Sequence, residues 1–272
     1  MSDPGVRRYR ARRVGPGAAM RDEAVAVEEP MEVRVNGAPF AVIMRTPGAD
    51  RDLAAGFLLA EDVVRSADEI GIIESCLDAT DEGRDNVLNV TVAGDAVTRL
   101  EARLSNRRQV TMTASCGLCG RRTIESLRER GPTVTGEWRV AADVVAGLPR
   151  TLRGAQPVFD VTGGLHAAGL FDRDGQLLLL AEDVGRHNAV DKIVGRMLLA
   201  GRLPLSECLL QVSGRTSFEL VQKAMLAGIP LISAVSAPSS LAVDLARESG
   251  VTLCGFVRDG GFNVYAGEQR IA

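Results

Sequence analysis

The sequence predicts an α/β fold: a helix-covered, mostly parallel or mixed sheet in the C-terminal half, joined to a smaller N-terminal α+β domain. Three observations predict it. Apolar residues make up 46% of the 272-residue chain, with mean hydropathy +0.06, enough to build a sizeable core. From about Gly136 onward, short apolar runs alternate with helical stretches, a pattern satisfied by a sheet covered by helices. Before that point, alternating runs punctuated by turn residues surround one helical segment.

The elements follow in order. Residues 1–18 read as a flexible, solvated tail carrying Arg7, Arg8, Arg10, Arg12 and Arg13, interrupted by Gly15, Pro16 and Gly17. Capture of an anionic partner is the second reading of these arginines. Residues 19–110 are the small α+β domain. The run from Glu23 to Gly48 alternates, turns at Asn36–Gly37 and alternates again, which signals a hairpin. A helix follows, with apolar spacing from Leu53 through Phe57 to Val64 and Asp50 suited to cap it. The stretches 69–79 and 86–94 read as strands. Residues 111–122 form a mobile loop of small polar residues, and 121–131 a short helix ended by Gly131 and Pro132.

In the last part, 123–272, strands are predicted over 164–172, 175–183, 207–214, 229–237, 251–259 and 261–267. Helices are predicted over 188–201, 217–228 and 239–250. The recurring units between Ser206 and Gly255 fit right-handed crossovers.

Composition also excludes classes of function. Lys and Arg total 32 against 35 Asp and Glu, a net charge of −3, and aromatics are 4%. Neither a general positive field nor a base-stacking surface for nucleic acid is expected. No continuous apolar core lies between Ser2 and Ala19, and no run approaches the roughly 20 apolar residues of a membrane span. A reducing cytoplasm is the expected location. Lys192 and Lys223 are the only lysines, so planar arginine donors dominate the cations.

Of five cysteines, Cys76, Cys208 and Cys254 sit singly in apolar surroundings and read as small buried hydrophobes. Cys116 and Cys119 form the single short pair, in SCGLCG. Two thiols at this spacing can reach each other, and one can carry a sulfur that the other resolves or protects. Gly117 and Gly120 leave the backbone free to bend. Arg121, Arg122 and a helix start near Thr123 favour thiolate over thiol. Spacing alone leaves three readings open: sulfur or redox chemistry, half of a metal site, and an incidental loop. The metal reading lacks a second cysteine pair, and His166 and His187 are the only histidines.

A glycine-rich segment where a strand should begin and three donor-rich strand–helix junctions are candidate binding segments. In Asp160–Gly169, Gly163 and Gly164 permit close approach of a ligand to backbone N–H groups, with His166 following. Next, Glu182, Asp183, Arg186, His187, Asn188 and Asp191 crowd a strand-to-helix turn, with Lys192 at its end. Capping by Asp183 or Asn188 explains one or two of these but not six. Ser213, Gly214 and Arg215 end a further strand, and Ser236 and Ser239 stand at the last junction. Together these groups suit phosphoryl oxygens. Neither GxxxxGK[ST] nor GxGxxG occurs. Arg258 and Asn263 either complete the pocket or belong to a hairpin through Asp259, Gly260 and Gly261.

These stretches, in this order, resemble the formate dehydrogenase accessory sulfurtransferase family (FdhD/NarQ-like). The resemblance rests on VEEPMEVRVNG, TPGADRDLAAGFLLAEDVV, SCGLCG, FDVTGGLHAAGLFD, EDVGRHNAVDKIVG, SGRTSFELVQKAMLAGIP, SAPSSLAVDLARESGVTLCGFVR and FNVY, spanning Val27 to Tyr265. It implies a cytoplasmic sulfur carrier. Sulfur would be taken as a persulfide from a cysteine desulfurase and handed to the bis(molybdopterin guanine dinucleotide) molybdenum cofactor that serves the formate dehydrogenase catalytic subunit. The resemblance places the persulfide on Cys116, with Cys119 its partner. It places cofactor binding on Phe256, Val257, Arg258, Asp259, Gly260 and Gly261, where a guanine nucleotide would substitute. It also implies a cytidine-deaminase-like α/β/α sandwich in the last part, and a homodimer. Deaminase chemistry does not carry over: Ser115 stands before Cys116 where that site needs proline, and no H-x-E occurs.

Overall fold

A computed structural model describes residues 3–75, 86–107, 134 and 138–272 of the chain. The arginine-rich start is a strand rather than a tail. Strand β1 (Val6–Arg13) pairs antiparallel with β2 (Ala19–Ala26), Val6 opposite Ala26 and Arg13 opposite Ala19. Gly15 and Gly17, both at positive φ, turn the chain between them. Pairing satisfies the inner backbone groups while leaving the arginine side chains in water. The long alternating run is also divided: β2 ends at Ala26, and β3 (Glu29–Val35) belongs to a different sheet.

That second sheet has the order β4-β3-β6-β5. Its other members are β4 (Ala38–Arg45), β5 (Ile70–Ser75) and β6 (Val87–Val92). The predicted hairpin is present, with Asn36 (φ 49°) and Gly37 (φ 80°) both left-handed, the conformation that an Asn–Gly turn favours. The Asn36 carboxamide accepts the Val92 N–H at 2.9 Å, tying the turn to β6. Helix α1 (Asp50–Ala60) covers this sheet. Asp50 is its first residue, not its cap. The Asp50 carboxylate instead takes two 3.0 Å bonds from the buried Arg45 guanidinium. A second, unpredicted helix, α2 (Asp95–Arg107), follows β6.

The six-stranded sheet has the order β12-β11-β10-β9-β7-β8. Its strands are β7 (His166–Phe171), β8 (Leu177–Asp183), β9 (Leu209–Val212), β10 (Leu231–Ala234), β11 (Thr252–Arg258) and β12 (Gly261–Ala266). Only β9, β10 and β11 run parallel; β7, β8 and β12 pair antiparallel at the flanks, so the sheet is mixed. Helices α3 (Ala142–Gly154) and α4 (Pro157–Thr162), neither of them predicted, precede it. The predicted helices are α5 (Arg186–Leu199), α6 (Phe218–Leu226) and α7 (Ser240–Ser249).

The two parts share one apolar core, in which Met31, Val33 and Leu58 pack in the same cluster as Leu170, Ile193 and Leu210. Contact is closest where α1 crosses α5. A Cβ on Gly56 would lie 2.0 Å from the Asp191 carbonyl oxygen, and one on Gly195 1.8 Å from that of Asp52. Only glycine permits this approach of two helix backbones. The boundary loop expected at 111–122 and the helix at 121–131 lie outside the described residues. No described helix is long and apolar enough to cross a membrane.

Candidate functional site

A cleft of about 660 Å³ opens at the C-terminal ends of the parallel strands, where ligands of open α/β sheets bind. Ser213 follows β9, Val235 follows β10, and Val257 and Arg258 close β11. Helix α3 supplies Pro149 to Arg153 on one wall, and Phe159 of α4 stands beside Gly163, Gly164 and His166.

Local chemistry explains each wall. Gly163 ends α4 in a left-handed conformation (φ 65°), its N–H donating to the Phe159 carbonyl at 2.7 Å. The start of α4 is fixed by Glu182, whose carboxylate accepts the Val158 and Phe159 N–H groups at 3.0 and 2.8 Å. The Ser213 hydroxyl accepts the Ala167 N–H at 2.9 Å and lies 3.5 Å from His166 Nδ1. At the far side, β11 carries one extra residue against β12: Gly255 faces Asn263, yet Arg258 faces Gly261. Phe256 occupies this bulge with φ 54° and stays exposed, while Val257 turns fully inward. The hairpin then closes through Asp259 and Gly260 (φ 98°).

The cleft is cationic at its rim. Arg153 pairs with Asp160 at 2.5 Å and stacks 4.6 Å over Phe159, and Arg150 reaches Asp259 at 3.4 Å. Both guanidinium groups stay more than half exposed. Arg258 stands exposed beside them. Half-buried His166 is held below its ordinary value near 6.5, first by burial and then by Arg186 and His187, so it is neutral at pH 7.

Of the predicted binding residues, Gly163, Gly164, His166, Ser213, Val257, Arg258 and Asp259 line this cleft. Gly214 lies against the His166 ring and the Arg186 side chain. Others serve the fold. Asp183 is fully buried and pairs with buried Lys192 at 2.7 Å. Asp183 also accepts from the Thr46 N–H, the Gly185 N–H and the Asn188 amide, and Lys192 donates to the Thr46 and Glu182 carbonyls. Asn188 further donates to the Met44 carbonyl. This cluster fastens the end of β4 to the start of α5. Asp191 binds Lys223 at 2.6 Å, also away from the cleft. His187 Nε2 lies 2.9 Å from Glu219 and 3.0 Å from Ser217. Ser239 caps α7 by accepting the Ala242 N–H, and the Ser236 carbonyl accepts the Phe256 N–H. Arg215 is exposed beyond β9.

Arg150, Arg153 and Phe159 were not anticipated; their signal was the i, i+3 arginine pair ahead of an aromatic residue. Cys76, Cys116 and Cys119 lie outside the described residues. Buried Cys254 is pushed up to about 12 by burial, and Cys208 is raised by the same cause. Both are inert thiols at neutral pH. The described residues contain no group of three His, Cys, Asp or Glu side chains placed to hold a metal ion.

Comparison with known proteins agrees along the whole chain. A sulfur carrier protein FdhD of Streptomyces avermitilis is 52% identical over 271 residues, covering 96% of this chain and 93% of the relative. One from Nocardia farcinica is 48% identical over 276 residues, covering 100% and 96%. A crystal structure described as a candidate formate dehydrogenase accessory protein from Desulfotalea psychrophila superposes with TM-score 0.77 at 26% identity, over 99% of this chain and 100% of that one. The FdhD/NarQ family profile matches residues 26–272. With that profile spanning both the four-stranded and the six-stranded sheet, the chain belongs to the FdhD/NarQ family.

Proposed function

We propose that this protein is a sulfurtransferase that carries sulfur to the molybdenum cofactor used by formate dehydrogenase. The observation that carries the reading is the arginine-rimmed cleft at the strand ends, in a chain about half identical to named sulfur carriers. In the first step the Cys116 thiolate attacks the sulfane sulfur of a cysteine desulfurase persulfide. A new S–S bond forms on Cys116, the donor's S–S bond breaks, and the donor cysteine leaves as thiolate. The bound sulfur is then surrendered to the bis(molybdopterin guanine dinucleotide) cofactor, which is the acceptor substrate.

The cleft supports a guanine dinucleotide end chemically. Arg150, Arg153 and Arg258 suit pyrophosphate oxygens, and the backbone at Gly163 and Gly164 admits close approach. Neutral His166 and the Ser213 hydroxyl supply shorter-range polar contacts. In this reading the six-stranded half is cytidine-deaminase-like, the protein acts in the cytoplasm, and it works as a homodimer with the dehydrogenase catalytic subunit as client.

Intact-mass analysis after incubation with a cysteine desulfurase and cysteine tests the proposal. The expected result is a gain of about 32 Da, one sulfur, removed by reductant. The adduct is expected to vanish in Cys116→Ser, together with activation of formate dehydrogenase, while guanosine diphosphate binding survives. A wild-type chain that never gains the sulfur overturns the reading.

A further inference from the structure

Strands β1 and β2 form a two-stranded ribbon that makes no sheet with the other described strands. From Val6 to Arg13 it extends about 25 Å, at roughly 3.3 Å per residue. The family profile begins at residue 26, where the ribbon ends. Residues 6–26 carry six arginines against Asp22 and Glu23, a charge of +4. The chain totals −3, so the remainder carries −7. Arg7 is held by Glu29 at 3.0 Å. Arg8, Arg10, Arg12 and Arg13 are exposed and have no ion-pair partner among the described residues. Alternation along the strand puts Arg8, Arg10 and Arg12 on one face.

The root of the ribbon is fixed beside the cleft. Val27 N–H donates to the Gly5 carbonyl at 2.9 Å, and the space beside Gly164 is closed by Ala26. Its far end, at Arg13 and Ala19, stands about 25 Å from that root at roughly 3.3 Å per residue, and no residue of the ribbon lines the cleft. The structure thus assigns the ribbon to docking: we infer that it is a basic arm that captures an acidic surface on the protein that donates the sulfur. The inference rests on the proposed sulfur-carrier function. Of its two sulfur transfers, only the first takes place between two macromolecules, because the donor sulfur sits on another protein's cysteine while the acceptor is a small molecule; the dehydrogenase client takes no part in loading. Nucleic acid fits less well, since the −7 body repels a long polyanion and Tyr9 is the ribbon's single aromatic.

The test compares sulfur loading of the full chain from two donors: a persulfidated cysteine desulfurase and glutathione persulfide. The variant carries Arg8→Glu, Arg10→Glu, Arg12→Glu and Arg13→Glu together. The expected result is a loss of about tenfold or more in loading rate from the protein donor at low salt. Loading from glutathione persulfide is unchanged, and added salt slows the wild type toward the variant. An unchanged thermal midpoint shows that the variant is folded; if it is not folded, the four Arg→Gln changes replace it, with a smaller loss expected. Equal loading of wild type and folded variant from the desulfurase overturns the arm, as does wild-type loading from the small persulfide alone. Salt-resistant binding of a DNA duplex that the variant loses also overturns it. Failure of the wild type with both donors instead overturns the sulfur-carrier reading itself.

Discussion

A thiol inside an apolar strand and a thiol flanked by glycines and arginines are different reagents. Cys254 on β11 is fully buried and holds its proton to about pH 12. It contributes packing, not nucleophilicity. Cys254→Ser is expected to lower stability by about 1–3 kcal/mol, because the hydroxyl is buried among apolar neighbours. Thermal denaturation reads this loss, and sulfur loading measured by intact mass stays at the wild-type level. Residue identity was legible in the sequence more often than residue role. The polar crowd from Glu182 to Lys192 stands out at once, yet its partners Thr46 and Met44 lie well over a hundred positions away. A one-dimensional reading has no access to such pairings, so it does not separate the buried charges of Asp183, Asp191 and Lys192 from groups free to bind. The cleft glycines, His166, Ser213 and Arg258 were legible because their chemistry is local to strand ends.

At the scale of elements, apolar runs and turn residues predicted β3 to β12, α1 and α5 to α7, most plainly where a regular apolar stripe is buried, as in β3, β6 and α6. Misses have physical causes. Helix α3 contains Pro149, which removes one backbone donor and reads as a break, yet the helix persists because Val145, Leu148 and Leu152 are buried against the sheet. Strand β1 was obscured by arginines whose side chains never enter a core. The α1–α5 crossing depends on two glycines that sequence alone marks only as helix weaknesses. Gly195→Ala places a methyl within 1.8 Å of the Asp52 carbonyl oxygen. Stability is expected to fall by about 3 kcal/mol or more, as overpacking separates the helices. Urea denaturation checks this; a midpoint equal to wild type would show that the backbones can part without penalty.

On the scale of the whole molecule, a buried charge joins the two halves. Lys192, from α5, neutralises Asp183 at the end of β8 and holds the Thr46 carbonyl after β4. Lys192→Met leaves the Asp183 carboxylate buried without its cation. The expected loss is about 3–5 kcal/mol, with the unfolding transition still single. Calorimetry distinguishes this from two separate transitions, which would mean that the halves melt independently. The common core gives the same expectation, since strands β3 and β6 and helix α5 share one apolar cluster. Neither half is a free-standing module. A gene fragment encoding only residues before α3 would make a protein with a raw apolar flank where α5 belongs. The complementary fragment would turn Lys192 and the Gly195 groove outward to water, so splitting this carrier destroys both pieces rather than liberating either.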